Sequence, residues 1–436
     1  MKGLRFIFLF LILFSPSVSW SQDSEKSWNF HGQLTVISQG HGEFNSPYSG
    51  TNSFQSRWEL YSIGVGTVYL GKRLWSGGEL FVNPEIASGR GLSDVEGIAG
   101  FPNGLATRVT RERPTLYMAR LFLRQTWNFE GEEEIVADGP NFLAGRRSGR
   151  RLILTVGNFA ATDMFDDNRF APHDPSNYFL NWSLMTSAAW DFPADVRGYT
   201  WGFSLEWVWD QWSARLGSFL VANSPNGEFF DMQLSQAHGD VVEVEHRHLL
   251  GDRKGSIRLL LFVNHAFMGS YRESLSLNSQ APDLADTRKP GRIKYGFAIS
   301  ADQEVTGDVG LFLRLSWNDG ETESWMYTEV DRSLALGVSI SGRPWSRLND
   351  RIGLGFVVNG ISQDYRDYLA AGGLGFMLGD GRLNYDPEQI IEAYYSLGIF
   401  KAPNNIAFDI QQVWNPGYNH DRGPVTIYGL RLNLAI

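Results

Sequence analysis

The stretch RGYTWGFSLEWVWD, Arg197 to Asp210, decides the fold class of this chain. Its odd-numbered positions from Tyr199 to Trp209 are all large and apolar: Tyr, Trp, Phe, Leu, Trp and Trp. The even-numbered positions carry glycine, threonine, serine, glutamate and aspartate, and Val208 is the exception. Because side chains alternate between the two faces of a β-strand, this period of two predicts a strand with one apolar and one polar face.

The same alternation occurs in residues 116–129, 293–300 and 428–436. Strands of this kind build either a soluble sandwich or a membrane barrel. Aromatic residues at the strand ends of the apolar face favour the barrel, because they suit the girdles that flank its lipid-facing band. We assign to these girdles Tyr117, Trp127, Tyr199, Trp209, Trp317 and Tyr428.

Composition excludes several other classes of protein. The chain has 436 residues, of which 43% are hydrophobic and 20% charged, and this is a folded rather than a disordered composition. Its 38 Lys and Arg residues are outnumbered by 48 Asp and Glu residues, so we expect no nucleic-acid partner. The absence of cysteine excludes disulfides, thiolate metal sites and a cysteine nucleophile.

The N-terminus predicts export from the cytoplasm. Lys2 and Arg5 precede the apolar run Phe6 to Phe14, and Ser19 and Ser21 supply small residues for cleavage. We therefore expect a signal peptide at residues 1–21 and an outer-membrane β-barrel at residues 22–436. The apolar run is shorter than the roughly 18 to 20 residues that a membrane-spanning helix needs.

The fold class predicted is all-β, a transmembrane antiparallel β-barrel of about sixteen strands. Short periplasmic turns should alternate with long extracellular loops, and the long segments 86–114, 160–195, 269–291 and 362–386 fit such loops. Segment 131–148 is too long for a periplasmic turn and does not fit the alternation. The strands are expected near 28–39, 53–71, 76–85, 115–130, 149–159, 196–210, 212–223, 240–250, 254–268, 292–304, 307–318, 331–343, 350–361, 387–400, 404–414 and 424–436.

Three stretches carry a resemblance to a known family. They are LWSGGELFVNPE at 74–85 with GFPNG at 100–104, GNFAATDMFDDNRFAPHDP at 157–175, and residues 368–396 followed by NPGYNHDRGPV at 415–425. These stretches resemble the carbohydrate-selective porins of Gram-negative outer membranes. The resemblance implies a sixteen-stranded barrel in outer-membrane lipid, a pore that favours small sugars, and loops folded partly inward as a constriction. Whether the barrel forms a homo-oligomer stays open.

Charged residues at lumen-facing positions are the candidate sugar ligands, because charged partners form the stronger hydrogen bonds with hydroxyl groups. The alternative interpretation is that each of them pairs with a charge on a neighbouring strand or only keeps the pore wall polar. The channel-lining candidates are Arg120, Arg124, Glu206, Arg215, Arg258, Arg314, Glu392 and Arg431.

Acidic and amide residues in the predicted loops are the candidates for the constriction. A calcium site is the alternative interpretation of the segment Asp163 to Asp174, but its spacing matches no ligand loop of fixed geometry, and Asp and Asn favour turns. His246 and His248 share one strand face without a third ligand, so we predict no metal and no cofactor. The constriction candidates are Glu85, Asp163, Asp166, Asp167, Asn168 and Asp380.

Local motifs of catalysis are missing from the sequence: G-x-S-x-G, G-x-x-x-x-G-K-[ST] and H-E-x-x-H do not occur. The function predicted is therefore a passive outer-membrane channel selective for carbohydrates rather than an enzyme. The first alternative is a general porin without sugar preference, and the second is an outer-membrane hydrolase.

Overall fold

The alternating segments of the sequence form the wall of one closed antiparallel barrel. A computed structural model describes residues 26–109, 111–400 and 403–436, and the predicted signal peptide lies outside the described residues. The strands are β1 Trp28–His41, β2 Glu59–Trp75, β3 Gly78–Gly89, β4 Thr115–Asn128, β5 Glu133–Val136, β6 Gly145–Ser148, β7 Arg150–Phe159, β8 Thr200–Trp209, β9 Trp212–Phe219, β10 His238–Leu250, β11 Arg253–Ala266, β12 Arg292–Glu304, β13 Val309–Asn318, β14 Arg332–Ser341, β15 Arg351–Gly360, β16 Glu388–Gly398, β17 Asn405–Trp414 and β18 Val425–Ala435.

Sixteen of these strands form the wall, and each wall strand pairs with the wall strand that follows it in the chain. The barrel closes where β1 pairs with β18, with Val36 opposite Leu432. Strand β4 pairs directly with β7, which leaves β5 and β6 as a separate two-stranded sheet. The prediction of sixteen strands is confirmed, and every predicted strand overlaps a wall strand whose bounds differ by six residues or fewer.

Alternation along β8 shows why the sequence forms this wall. Trp201 and Trp207 lie on the outer surface and are 46% and 53% exposed, whereas the intervening Ser204 faces inward and is buried. Apolar rings are therefore presented to lipid, and small or polar side chains to the interior. Three short helices, α1 Trp182–Met185, α2 Tyr271–Leu277 and α3 Gln363–Ala370, all lie in connections between strands. None of the helices in the described residues is long and apolar enough to cross a bilayer.

A β-bulge interrupts the alternation on β4. Asn83 lies opposite Arg120, but the next residue, Pro84, lies opposite Met118, so Ala119 is an extra residue in the strand. Proline has no N–H to donate to a neighbouring strand, and bulges are tolerated where the hydrogen-bond ladder is already broken. The inserted residue reverses the direction of every side chain on the N-terminal side of the bulge.

Two predicted girdle aromatics are wrong, and the bulge explains the first of them, Tyr117. Tyr117 lies before the bulge and Tyr199 lies one residue before β8, and both hydroxyls donate a hydrogen bond to Glu85 on the inner side of β3. The alternation of side chains along the sequence does not reveal the inserted residue at position 119. Exposed positions on the outer surface are confirmed for Trp127, Trp209 and Tyr428.

Connections differ strongly in length at the two rims of the barrel, as predicted. Turns of a few residues join strands at one rim, for example 76–77, 210–211 and 251–252, and this rim is periplasmic in such barrels. The segment between β4 and β7 is the exception, and it contains the β5–β6 hairpin. The long loops at the other rim are L1 42–58, L2 90–114, L3 160–199, L4 220–237, L5 267–291, L6 319–331, L7 361–387 and L8 415–424.

Large apolar residues of the long loops form a core inside the extracellular half of the barrel. Trp182 and Trp190 of L3 and Trp325 of L6 are each about 1% exposed. Phe101 of L2 stacks on Trp182 with ring centroids 4.7 Å apart. Because burial of such rings removes much apolar surface from water, the loops are folded elements of the pore rather than free extracellular segments.

The assignment of the rims can be tested by cysteine labelling, since the chain contains no cysteine. Leu277 at the end of α2 in L5 and Asp252 in the β10–β11 turn are both exposed. A membrane-impermeant maleimide added to intact cells should label Leu277→Cys, and it should label Asp252→Cys only after the outer membrane is permeabilised. Labelling of Asp252→Cys in intact cells would contradict this topology.

Candidate functional site

Loop L3 is fixed to the inner wall by a buried arginine. Arg314 on β13 is 1% exposed, and its Nε lies 3.2 Å from Oδ1 of Asp166. Its Nη1 donates to the carbonyl oxygens of Ala171 and Leu184, each at 2.8 Å. The carboxylate of Asp166 also accepts from the backbone N–H of Ser187 at 2.6 Å. These contacts give Arg314 and Asp166 the role of joining two parts of L3 to the wall.

The middle of L3 is held in the same manner by strands β16 and β18. Glu392 on β16 accepts hydrogen bonds from the backbone N–H groups of Leu180 at 2.6 Å and Asn181 at 2.8 Å. Arg431 on β18 donates to the carbonyl oxygens of Pro175 at 2.8 Å and Tyr178 at 2.6 Å. Both side chains point inward as predicted, and both bind the loop backbone.

Asn168 and Asp167, also predicted for the constriction, lie in different environments. Asn168 is fully buried, and its amide donates to Ser300 Oγ and the Ala301 carbonyl, both at 3.1 Å. The side chain of Asp167 is 67% exposed and lies 3.9 Å from Arg258. Asn168 therefore holds the loop on β12, and Asp167 remains accessible to the lumen water.

Arg215 and Arg258 form a charge lattice across neighbouring strands. Arg215 contacts Glu206, Glu243 and Glu245, each at 2.7 Å. Arg258 contacts Glu245 at 3.0 Å and Asp302 at 2.9 Å. For these arginines the structure favours the alternative interpretation, in which lumen charges pair across strands, because each guanidinium is already surrounded by carboxylates.

Arg120 lies in a different arrangement, where L3 meets the inward face of β4. Its Nε and Nη2 donate to the two carboxylate oxygens of Asp163, both at 2.7 Å. The side chains of Arg120 and Asp163 keep 12% and 25% of their surface exposed. Burial opposes the charge on Asp163, but the guanidinium of Arg120 holds the pKa of this carboxyl below its ordinary value. The pair is thus a fixed donor and acceptor combination with no net charge.

An aromatic ring and a second arginine complete this group. Tyr199 donates to Oε1 of Glu85 at 3.0 Å, and its ring lies 4.1 Å from the guanidinium carbon of Arg108 and 5.2 Å from that of Arg120. We call Glu85, Arg108, Arg120, Asp163 and Tyr199 the Arg120 cluster. Four segments of the chain, β3, L2, β4 and L3, therefore converge at one inward position.

Arg108 was not among the residues predicted from the sequence. It lies four residues after GFPNG, in L2, and its Nη1 donates to the carbonyl of Arg197 at 2.6 Å. Its proximity to the quoted motif was the available signal, but nothing in the spacing indicates that L2 turns inward. Glu85, a constriction candidate at the end of the predicted strand 76–85, lies inside β3, which continues to Gly89.

His173 lies in L3, within the segment Asp163 to Asp174 and near the same group. Burial, assisted by the positive charge of Arg108, lowers the pKa of His173 to about 3. The imidazole is therefore neutral at physiological pH. It adds no charge to the lumen, and its ring packs against Trp182 at a centroid distance of 5.5 Å.

Two further predicted residues lie away from the Arg120 cluster. Arg124 is buried below it and donates to the carbonyl of Asn141 at 2.9 Å, in the segment between β5 and β6. Asp380 of L7 accepts from Asn419 of L8 at 3.1 Å and lies 3.7 Å from Arg422. Asp380 therefore joins two extracellular loops and does not reach the cluster. The described residues contain no group of three His, Cys, Asp or Glu side chains arranged to hold a metal ion.

Residues 70–435 match the family model described as carbohydrate-selective porin, OprB family. The chain belongs to this family. Among solved structures, the high-pH structure of Pseudomonas putida OprB is similar with a TM-score of 0.71 and 14% identity, covering 94% of each chain. The outer-membrane channel DcaP of Acinetobacter baumannii is similar with a TM-score of 0.54 and 11% identity, covering 94% of this chain and 97% of that one. No curated protein matches the chain.

Membership of the OprB family and the closed barrel indicate a Gram-negative outer-membrane channel. The described part of this porin accounts for such a channel physically, because every wall strand pairs on both sides and leaves no unsatisfied edge in lipid. The inward loops occupy part of the lumen of this barrel.

Proposed function

We propose that this OprB-family porin is a passive diffusion channel that prefers monosaccharides and small oligosaccharides, and that the Arg120 cluster provides the preference. The observation that carries the proposal is the partly exposed pair of Arg120 and Asp163 beside Tyr199 on the inner wall. A passive channel needs binding that is strong enough to admit a solute and weak enough to release it.

Sugar chemistry suits this group of side chains. A pyranose has hydroxyls that both donate and accept, and charged partners bind hydroxyls more strongly than neutral partners do. The guanidinium of Arg120 supplies donors and the carboxylate of Asp163 supplies acceptors, while their charges cancel. The pair therefore favours a neutral polyhydroxy solute over a small ion. Tyr199 is 2% exposed, and its ring packs against the guanidinium groups of Arg108 and Arg120 and holds them in place.

The wall residues Arg215, Arg258 and Arg314 have a separate role in this proposal. Their guanidinium groups are occupied by carboxylates or loop carbonyls, so they hold the pore in shape. Sugar contact by the other predicted lumen residues stays a prediction.

Single-channel recording in planar lipid bilayers tests the proposal. Glucose or a linear glucose trisaccharide at millimolar concentration should interrupt the ion current of the purified porin in resolvable events. An open current indifferent to every sugar would support a general porin and contradict the proposal.

Replacement of Arg120 by alanine should weaken this block. The variant loses charge-assisted hydrogen bonds worth about 1.5 to 3 kcal/mol, which corresponds to a roughly 10- to 150-fold higher sugar dissociation constant. The conductance should rise, and the unpaired Asp163 should shift ion selectivity toward cations. Sugar block and reversal potential are measured on the same channels.

Arg120→Lys is the matched variant, because lysine keeps the charge but loses the paired donors of the guanidinium. We expect its ion selectivity to resemble that of the unmodified porin and its sugar block to be weaker. Unchanged sugar block in Arg120→Ala, together with a shift of ion selectivity toward cations, would show that Arg120 only neutralises Asp163 and does not bind sugar.

A further inference from the structure

The β5–β6 hairpin folds into the periplasmic mouth of the barrel. Its contacts are made with inward-facing residues of β1 to β4: Asn29 donates to the carbonyls of Gly139 and Phe142 at 3.0 and 2.7 Å. Arg124 donates to the carbonyl of Asn141, and Arg147 within β6 lies 3.3 Å from Glu79. The unusually long connection at this rim is therefore a folded part of the lumen.

A tight turn fixes the tip of the hairpin. The backbone N–H and carbonyl groups of Gly139 and Phe142 bond to each other at 3.0 and 3.1 Å. Pro140 and Asn141 lie between them, and Asn141 has a φ of 61°, which suits the third position of a type II turn. Leu143, which follows the turn, is 1% exposed and belongs to the core that includes Phe81 and Phe122. The tip is thereby anchored on both sides.

Phe142 is the exception within this anchored tip, because it is 44% exposed while its neighbour Leu143 is buried. The guanidinium carbons of Arg124 and Arg147 lie 5.2 and 5.7 Å from its ring centroid. Arg124 is buried and supports the ring, whereas the side chain of Arg147 stays partly exposed beside it. An accessible aromatic ring next to a partly exposed arginine combines an apolar surface for the face of a sugar ring with donors for the hydroxyls at its edge.

We propose that Phe142, with Arg147 beside it, forms a second sugar-binding subsite at the periplasmic exit of the channel, its ligand being a pyranose ring. This inference rests on the proposed function and assigns it a site separate from the Arg120 cluster. A solute that leaves the cluster would meet a second weak site before it reaches the periplasm, and multiple weak sites favour throughput over tight retention.

Sugar added to one side of the membrane at a time tests the subsite. Channels are inserted in one orientation, and the association rate of a linear glucose trisaccharide is measured from the periplasmic side and from the extracellular side. Phe142→Ala should lower the rate from the periplasmic side by about two- to twelve-fold, the equivalent of one aromatic contact, and leave the extracellular rate unchanged.

Two variants make the test specific. Phe142→Leu keeps an apolar side chain without the ring and should behave like Phe142→Ala. Phe229→Ala removes another exposed phenylalanine, in L4 at the opposite rim, and should leave the periplasmic rate unchanged. Three results would each overturn the exit subsite: equal periplasmic rates in Phe142→Ala and the unmodified porin, an equal loss of rate from both sides, or unmodified rates in Phe142→Leu. In each of these cases, sugar block by the unmodified porin would still uphold the proposed function. Absence of block in the unmodified porin from either side would refute both.

Discussion

Arg314→Ala is expected to release L3 from the wall and open the channel. The substitution leaves the carboxylate of Asp166 and the carbonyls of Ala171 and Leu184 without their buried cation. Removal of one partner from a buried ion pair costs about 3 to 5 kcal/mol. Here we expect this loss to destabilise the attachment of L3 to the wall rather than the barrel itself. Single-channel conductance should increase and sugar block should disappear. Amide exchange of L3 should accelerate at least about a hundredfold.

Arg343→Ala is the matched control for this variant. Arg343 also pairs with a single aspartate, Asp308, at 3.2 Å, but its side chain is 65% exposed in the periplasmic turn after β14. Exposed pairs contribute about 1 kcal/mol or less, so conductance and block should stay unchanged. Arg314→Ala channels with the conductance of the unmodified porin would show that other contacts alone hold L3.

Leu259→Arg should destabilise the barrel in membranes, and the effect should depend on depth. Leu259 lies on the outer face in the middle of β11, and Leu250 lies on the outer face at the periplasmic end of β10. Arginine on the lipid face costs about 2 to 4 kcal/mol at the bilayer midplane and about 0 to 1 kcal/mol near an interface. Reversible unfolding in lipid vesicles should therefore show a large loss of unfolding free energy for Leu259→Arg and a small one for Leu250→Arg. Equal losses would contradict the assigned position of the membrane.

The wall of the barrel was predictable because each strand carries its own signal. Large side chains at alternate positions, as in Trp201 to Trp209, indicate a strand and its outer face without knowledge of the rest of the chain. The predicted outward direction of Tyr117 is wrong because Ala119 is an extra residue in β4. This insertion arises where β4 pairs with Pro84 on β3. Pairing between strands is not visible in the alternation of either strand.

Inward direction was also predictable, whereas the partners of the inward side chains were not. The register places Arg120, Arg314 and Arg431 inside, as observed, but only Arg120 has a carboxylate partner that remains partly exposed. Arg314 and Arg431 bind backbone carbonyls of L3. Any residue type supplies a carbonyl oxygen, so the sequence carries no signal for such an acceptor.

Liposome swelling tests the central claim of sugar preference most directly, because it measures the flux of uncharged solutes without an ion current. Vesicles containing the unmodified porin are diluted into glucose or into a zwitterionic amino acid of similar size. The account predicts faster swelling in glucose, and it predicts that Arg120→Ala, whose pore is wider at the cluster, reduces the difference between the two solutes. Equal swelling rates of the unmodified porin in both solutes would show that size alone selects, and this would contradict a carbohydrate-selective channel.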